Sequence, residues 1–238
     1  MDRRRFLAAA AAAALAPAAL RAQPVEHIVL VHGLWMTGAE TGLLGSRLRD
    51  DYGFDVRTYS YYSVSVGLEE NVARLAKYLA EVPGDTLHVV GHSLGGLLAL
   101  HTAMRLPDKR PGRIVCLGSP LRGSAAARAL AALPFGLEIM GATVRDAILN
   151  GGLESWQGKR DVGVVAGTRS LGLGEAVGQL PVPNDGTIAA VETQLPGVKD
   201  YLELDVSHTG MLMAPVVVSQ TAYFLRHGVF ARTSPAAG

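Results

Sequence analysis

Along the chain, short apolar runs alternate with longer stretches whose apolar positions recur every three or four residues. His27–Val31 reads as a buried strand running into His32-Gly33, Thr41–Asp50 as a helix and Phe54–Tyr59 as a strand. Val66–Leu79 places Leu68, Val72, Leu75, Ala76 and Leu79 on one stripe, the mark of a core-facing helix. Thr86–Gly91 is then a strand, Leu94–Met104 a helix, Ile114–Leu117, Val162–Ala166 and Leu202–Val206 strands, and Met211–His227 a closing helix. Strands alternating with helices predict an α/β fold: a mostly parallel sheet with helices on both faces. No repeat of fixed period is present.

One segment breaks this rhythm. Between Leu117 and Val162, about 40 residues carry no strand pattern. Ala125–Leu133 is alanine-rich and helical, Pro134 interrupts it, and Phe135, Leu137, Ile139, Met140, Val144, Ile148 and Leu149 resume an apolar helical pattern. The spacing predicts a helical insertion over about 121–160. It reads equally as a lid or wall beside a binding site and as an ordinary layer helix packed on the sheet.

Composition narrows the function classes. With 238 residues, 49% hydrophobic and 18% charged, the chain suits one globular domain with a large core. A net charge of +1 and only 6% aromatic residues leave neither the electrostatic footprint nor the stacking platforms of a nucleic-acid binder. The single cysteine, Cys116, lies in an apolar run, so it reads as a buried thiol and no intrachain disulfide can form.

Residues 1–22 read as an export signal, with the folded domain over 23–238. A charged start, Asp2-Arg3-Arg4-Arg5, precedes an apolar run from Phe6 to Leu20, 15 residues long and short of the ~20 a helix needs to span a bilayer. Arg3-Arg4-Arg5-Phe6-Leu7 resembles the bacterial twin-arginine signal, which implies export after folding to the periplasm or beyond. Cleavage after Ala22 fits the return of polarity there.

The chemistry centres on Gly91-His92-Ser93-Leu94-Gly95-Gly96. It matches Gly-x-Ser-x-Gly, with the strand Leu87-His88-Val89-Val90 before it and a helix opening at Leu97-Leu98-Ala99-Leu100 after it. That order is the context of a nucleophile elbow, a turn so sharp that both flanking glycines must lack side chains. Ser93 is therefore the candidate nucleophile. The Leu94 N–H at the helix start is one oxyanion donor, where the helix dipole favours negative charge. An acyl-transfer site needs a second donor. The loop after the first strand, His32-Gly33-Leu34-Trp35, supplies it, with Leu34 first and Trp35 as alternative. His32 reads as a residue that shapes this loop through hydrogen bonds.

A serine needs a base, and the base an orienter. The elbow resembles that of α/β-hydrolases, in which the acid and then the histidine follow the serine in the chain. His208 follows the last strand and precedes a helix, the right place for the base. His101 lies inside a helix and His227 at a helix end. Asp185 in Asn184-Asp185-Gly186 is the candidate acid, with Asp205 and Glu192 as alternatives.

Taken together, His32-Gly33-Leu34, Gly91–Gly96, Gly118-Ser119-Pro120-Leu121-Arg122-Gly123-Ser124, Asn184-Asp185-Gly186 and Ser207-His208-Thr209-Gly210 make the chain similar to bacterial lipases and esterases of the α/β-hydrolase superfamily. The Gly118–Ser124 string resembles a Gly-Thr-Pro-His-x-Gly-Ser segment of such lipases, with Leu121 where histidine is common. The resemblance implies the α/β-hydrolase fold and hydrolysis of a small-molecule or lipid ester through an acyl-serine, with no cofactor. The apolar insertion would also suit a lipid interface. Some members bind a structural calcium, although no carboxylate cluster here demands one. Acyltransferase, thioesterase or amidase chemistry could use the same residues, and a non-catalytic binding protein is the rival of another class.

Overall fold

The computed structural model describes residues 25–150, 152–172 and 180–232. The predicted export signal lies outside the described residues. Six strands, β1 (His27–Val31), β2 (Asp55–Tyr59), β3 (Leu87–His92), β4 (Ile114–Leu117), β5 (Val162–Gly167) and β6 (Asp200–Leu204), form one sheet in the order β2-β1-β3-β4-β5-β6. Every strand pair in it is parallel. The helices are α1 (Gly42–Asp50), α2 (Leu68–Glu81), α3 (Leu94–Arg105), α4 (Ala125–Ala131), α5 (Gly136–Val144), the short α6 (Ala190–Thr193) and α7 (Pro215–His227).

The strands are apolar throughout because both sheet faces are covered. Val29, Val31, Val89, Cys116 and Val164 point to the layer formed by α2, α3 and the insertion. Their neighbours Ile28, Leu30, Val90, Val115 and Val165 point to the layer formed by α1 and α7. Burial pushes the Cys116 thiol up to about 12, so it remains an inert core group. In α2 the predicted stripe of Leu68, Val72, Leu75 and Leu79 is buried.

The topology also places a crevice. From β1 the chain steps to β2 on one side, and β3 then returns to the other side of β1. The C-terminal ends of β1 and β3 therefore flank the point where strand order reverses, where open α/β sheets bind ligands.

Some boundaries move. β6 is Asp200–Leu204 rather than Leu202–Val206, because the Val206 N–H turns back onto the Leu204 carbonyl at 2.8 Å and ends the strand. Met211 lies in a 3₁₀ turn, Gly210–Leu212, and the closing helix starts at Pro215, whose missing N–H costs nothing in the first turn. α2 starts at Leu68 rather than Val66, where the Leu68 N–H meets Asp146 Oδ2 at 3.3 Å.

The insertion is helical as expected, with Pro134 between α4 and α5. α5 breaks at Gly141 and runs into a π-helical turn, Arg145–Leu149. Both ends are anchored. Ala142 N–H donates to Val64 O (2.9 Å), Thr143 Oγ1 to Val66 O (2.6 Å) and Asn71 Nδ2 to Thr143 Oγ1 (2.9 Å). At the other end, Ser124 Oγ caps α4 by accepting from Ala127 N–H at 3.1 Å, and the Glu192 carboxylate accepts from Ala125 N–H. Between these anchors Leu133, Phe135, Leu137 and Ile139 project into solvent. The base of the insertion is thus hydrogen-bonded to the rest of the fold, and its apolar tip is the exposed part.

Candidate active site

β3 ends at His92 and α3 begins at Leu94, which leaves Ser93 alone in the turn. Its φ of 53° and ψ of −124° lie outside the ordinary regions for a side-chain-bearing residue. The flanking glycines let the turn close. A Cβ on Gly91 would strike the Gly95–Gly96 backbone, and one on Gly95 would strike the Val31 and His32 carbonyls. The Ser93 N–H donates to Leu117 O at 2.8 Å, which pins the elbow to β4. Leu94 opens α3, so its N–H has no intrahelical acceptor and lies at the positive end of the helix.

The β1 loop is built around His32, as the sequence suggested. His32 Nε2 accepts the Tyr61 N–H at 3.1 Å, so the proton sits on Nδ1, which donates to Gly33 O at 2.8 Å. The ring stacks on Tyr61 at 4.4 Å, and burial lowers its pKa and holds it neutral. The two oxyanion alternatives now separate. The Trp35 N–H is committed to Ser63 Oγ at 3.2 Å, which leaves Leu34 as the available amide. The Trp35 indole N–H donates to Ile139 O at 2.9 Å and so ties this loop to the insertion.

On the far side, Asp185 and His208 are both buried and meet through Oδ2 and Nδ1 at 2.7 Å. A carboxylate accepts, so Nδ1 carries the proton and Nε2 presents a lone pair. The other oxygen of Asp185 accepts from Thr187 N–H (2.9 Å) and Ile188 N–H (2.7 Å), and the Asp185 carbonyl accepts the His208 N–H at 2.8 Å. Asn184-Asp185-Gly186 is therefore both a side-chain-stabilised turn and the partner of His208. Among the described residues the Ser93 hydroxyl does not hydrogen-bond His208, a contact that commonly tightens only around a bound substrate.

The alternatives are engaged elsewhere. Asp205 pairs with Arg169 at 2.7 Å on the surface. Glu192 holds Ala125 and Ala189 N–H groups, and burial raises its pKa. His101 is buried within α3, and His227 packs on Tyr223 at 4.2 Å. No group of three or more His, Cys, Asp or Glu among the described residues is arranged to hold a metal ion.

Three residues at the site went unassigned in sequence: Ser63, His92 and Gly118. Ser63 carries no motif. His92 was visible only as the variable position of the elbow, and Gly118 only as the first residue of the Gly118–Ser124 string, with no role attached. At Gly118, φ is +55°, and a Cβ would stand 3.0 Å from Asp185 Oδ2 and 3.1 Å from His208 Nδ1. Gly118→Ala is expected to cost about 1–3 kcal/mol of stability and also to lower kcat. Gly123→Ala, at φ +100° but away from the pair, should cost stability alone. Equal kcat values in the two variants would count against a tight fit at Gly118.

The chain belongs to the alpha/beta hydrolase family, whose model matches residues 28–223. A search of curated proteins by sequence finds no match. Among solved structures it is similar to the mature form of the Bacillus licheniformis lipase BlEst2, at 21% identity and a TM-score of 0.61 over 81% of this chain and 87% of that one. It is also similar to the metagenomic carboxyl esterase MGS0156 (20% identity, TM-score 0.55, 77% of this chain and 64% of that one). The Vlm2 thioesterase domain is similar too (20% identity, TM-score 0.57, 87% of this chain and 94% of that one). At such identities these likenesses speak for the fold.

Proposed function

We propose that the protein is a serine hydrolase that cleaves carboxylic esters through an acyl-serine intermediate. The observation that carries this reading is a strained elbow serine in the same fold as a buried, hydrogen-bonded aspartate–histidine couple, the two joined by the His92 ring that precedes the serine and reaches the His208 carbonyl. In this reading Ser93 attacks the ester carbonyl while His208 takes its proton. The Leu34 and Leu94 amides hold the oxyanion, and Asp185 stabilises the imidazolium. His208 then returns the proton to the leaving alkoxide, and water reverses the sequence to free the acid. The lipase and carboxyl esterase among the similar structures are in keeping with an ester substrate, and the Vlm2 thioesterase domain with a thioester.

The anchored base of the insertion supports a fixed acyl wall and short acyl groups. The exposed apolar tip supports contact with aggregated esters. The twin-arginine-like start supports export.

A fluorophosphonate probe and a series of nitrophenyl esters of rising acyl length test the reading together. Wild type is expected to label and to favour short esters, and Ser93→Ala to lose labelling and activity. Equal labelling of Ser93→Ala would overturn the assignment. A rate jump above the solubility limit of long esters would favour a moving lid over a wall.

A further inference from the structure

His92 occupies the variable position before Ser93, and its ring is buried at the end of β3. Nε2 lies 2.9 Å from the His208 carbonyl oxygen. A carbonyl only accepts, so Nε2 carries the proton and donates. Nδ1 is buried without a partner. The His92 and His208 rings are 4.7 Å apart. On the other side, a Cβ placed on Gly33 would stand 3.3 Å from His92 Nδ1 and 3.0 Å from Ser93 Cβ, so the same ring packs against the loop that carries Leu34.

The sheet explains why such a connection matters. β4 and β5 separate β3 from β6, so no strand pairing fixes the loop after β6 relative to the elbow. The His208 N–H ties that loop to Asp185. Nothing in that bond refers to the nucleophile. The bond from His92 does, because it originates one residue from Ser93.

We infer that His92 is a positioning residue, a strut that fixes the His208 loop against the nucleophile elbow and the oxyanion loop at once. The inference rests on the hydrolase reading above. An apolar side chain of similar size would fill the space without burying an orphan acceptor, which is a penalty in itself. The retained nitrogen is the one that donates. The strut must also remain neutral, because a cation beside His208 would oppose the imidazolium formed during proton transfer. Burial meets that need by pushing the His92 pKa down to about 3.

His92→Leu and His92→Gln provide the test. The glutamine amide can place an N–H donor near the position of Nε2. In His92→Leu, kcat should fall roughly 30-fold, short of the ~100-fold of a full 1 Å misplacement, with KM within about twofold of wild type. Labelling by the fluorophosphonate should fall by the same factor, and His92→Gln should recover most of the loss. A leucine variant with wild-type kcat, or a glutamine variant as poor as leucine, would overturn the proposal. Should His92→Leu fail to fold, ¹⁵N-histidine NMR of the wild-type protein decides. An Nε2–H tautomer at His92 at neutral pH is expected, and an Nδ1–H tautomer would refute the strut. A wild type that neither labels nor cleaves esters would instead refute the hydrolase reading.

Discussion

Asp185→Asn is expected to lower kcat on a short nitrophenyl ester about 10⁴-fold, the scale of losing the correct histidine tautomer in a Ser-His-Asp triad, while leaving the fold intact. The two oxygens of Asp185 have separate tasks. Oδ1 accepts the Thr187 and Ile188 amides and holds the turn, which an asparagine oxygen can continue to do. Oδ2 accepts from His208 Nδ1 at 2.7 Å. An amide NH₂ in that place is a donor facing a donor. His208 would then shift its proton to Nε2, and it could no longer accept one from Ser93. Asp205→Asn is the control, because its partner is Arg169 on the surface, and kcat should be unchanged. The variants are checked by steady-state kinetics alongside thermal melting. A drop of less than about tenfold for Asp185→Asn would mean that another group orients the base.

The second large effect is loss of stability in mild acid. Burial pushes the pKa of His92 down to about 3 and, with Arg105 adding to it, that of His101 down to about 4. An unfolded histidine titrates near ~6.5. Below that pH the unfolded chain takes up protons that the folded chain refuses, so stability is full above ~6.5 and falls as pH drops toward the folded values. By pH ~5 each histidine costs about 2 kcal/mol, or about 4 kcal/mol together, against a typical total of roughly 5–15 kcal/mol. His32, also lowered by burial, acts in the same direction. Glu192, whose pKa burial raises, acts in the opposite direction and trims the slope. Urea unfolding at pH 7 and pH 5 measures the difference. His101→Leu should remove about half of it, since that ring is buried with both nitrogens unpartnered. A flat stability between the two pH values would contradict the burial of these rings in solution.

The way the site was legible in the sequence follows from how local each feature is. The elbow could be read because its constraints act within a few residues. Gly91 and Gly95 must lack Cβ atoms for the chain to turn from strand into helix, and the apolar runs on either side define those elements. The candidate base was legible from its place after the last strand. The acid was harder. Asn184-Asp185-Gly186 is also an ordinary turn sequence, and both descriptions hold because two oxygens of one carboxylate serve two sets of donors. Leu34 and Trp35 could not be separated in sequence. The hydroxyl that occupies the Trp35 amide belongs to Ser63, 28 residues along the chain.

The insertion follows the same rule. Its helices, their interruption near Pro134 and its apolar character are written in its own residues. Its attachment is not, because the partners are Val64, Val66, Asn71 and Glu192, contributed by two other parts of the chain. His92 is the sharpest case. In sequence it is the residue that a Gly-x-Ser-x-Gly pattern leaves unspecified. In the fold it donates to the carbonyl of His208, 116 positions away.

The sequence by itself determined the alternation of buried strands and covering helices, and with it the parallel sheet. It also determined the elbow that raises Ser93. Those features follow from side-chain period, glycine sterics and strand–helix succession, all short-range. The tertiary structure alone decided which acid faces His208, which hydroxyl occupies the Trp35 amide, and which histidine spans from the elbow to the base. Each of those depends on one hydrogen-bond distance between segments brought together only by the order of strands in the sheet.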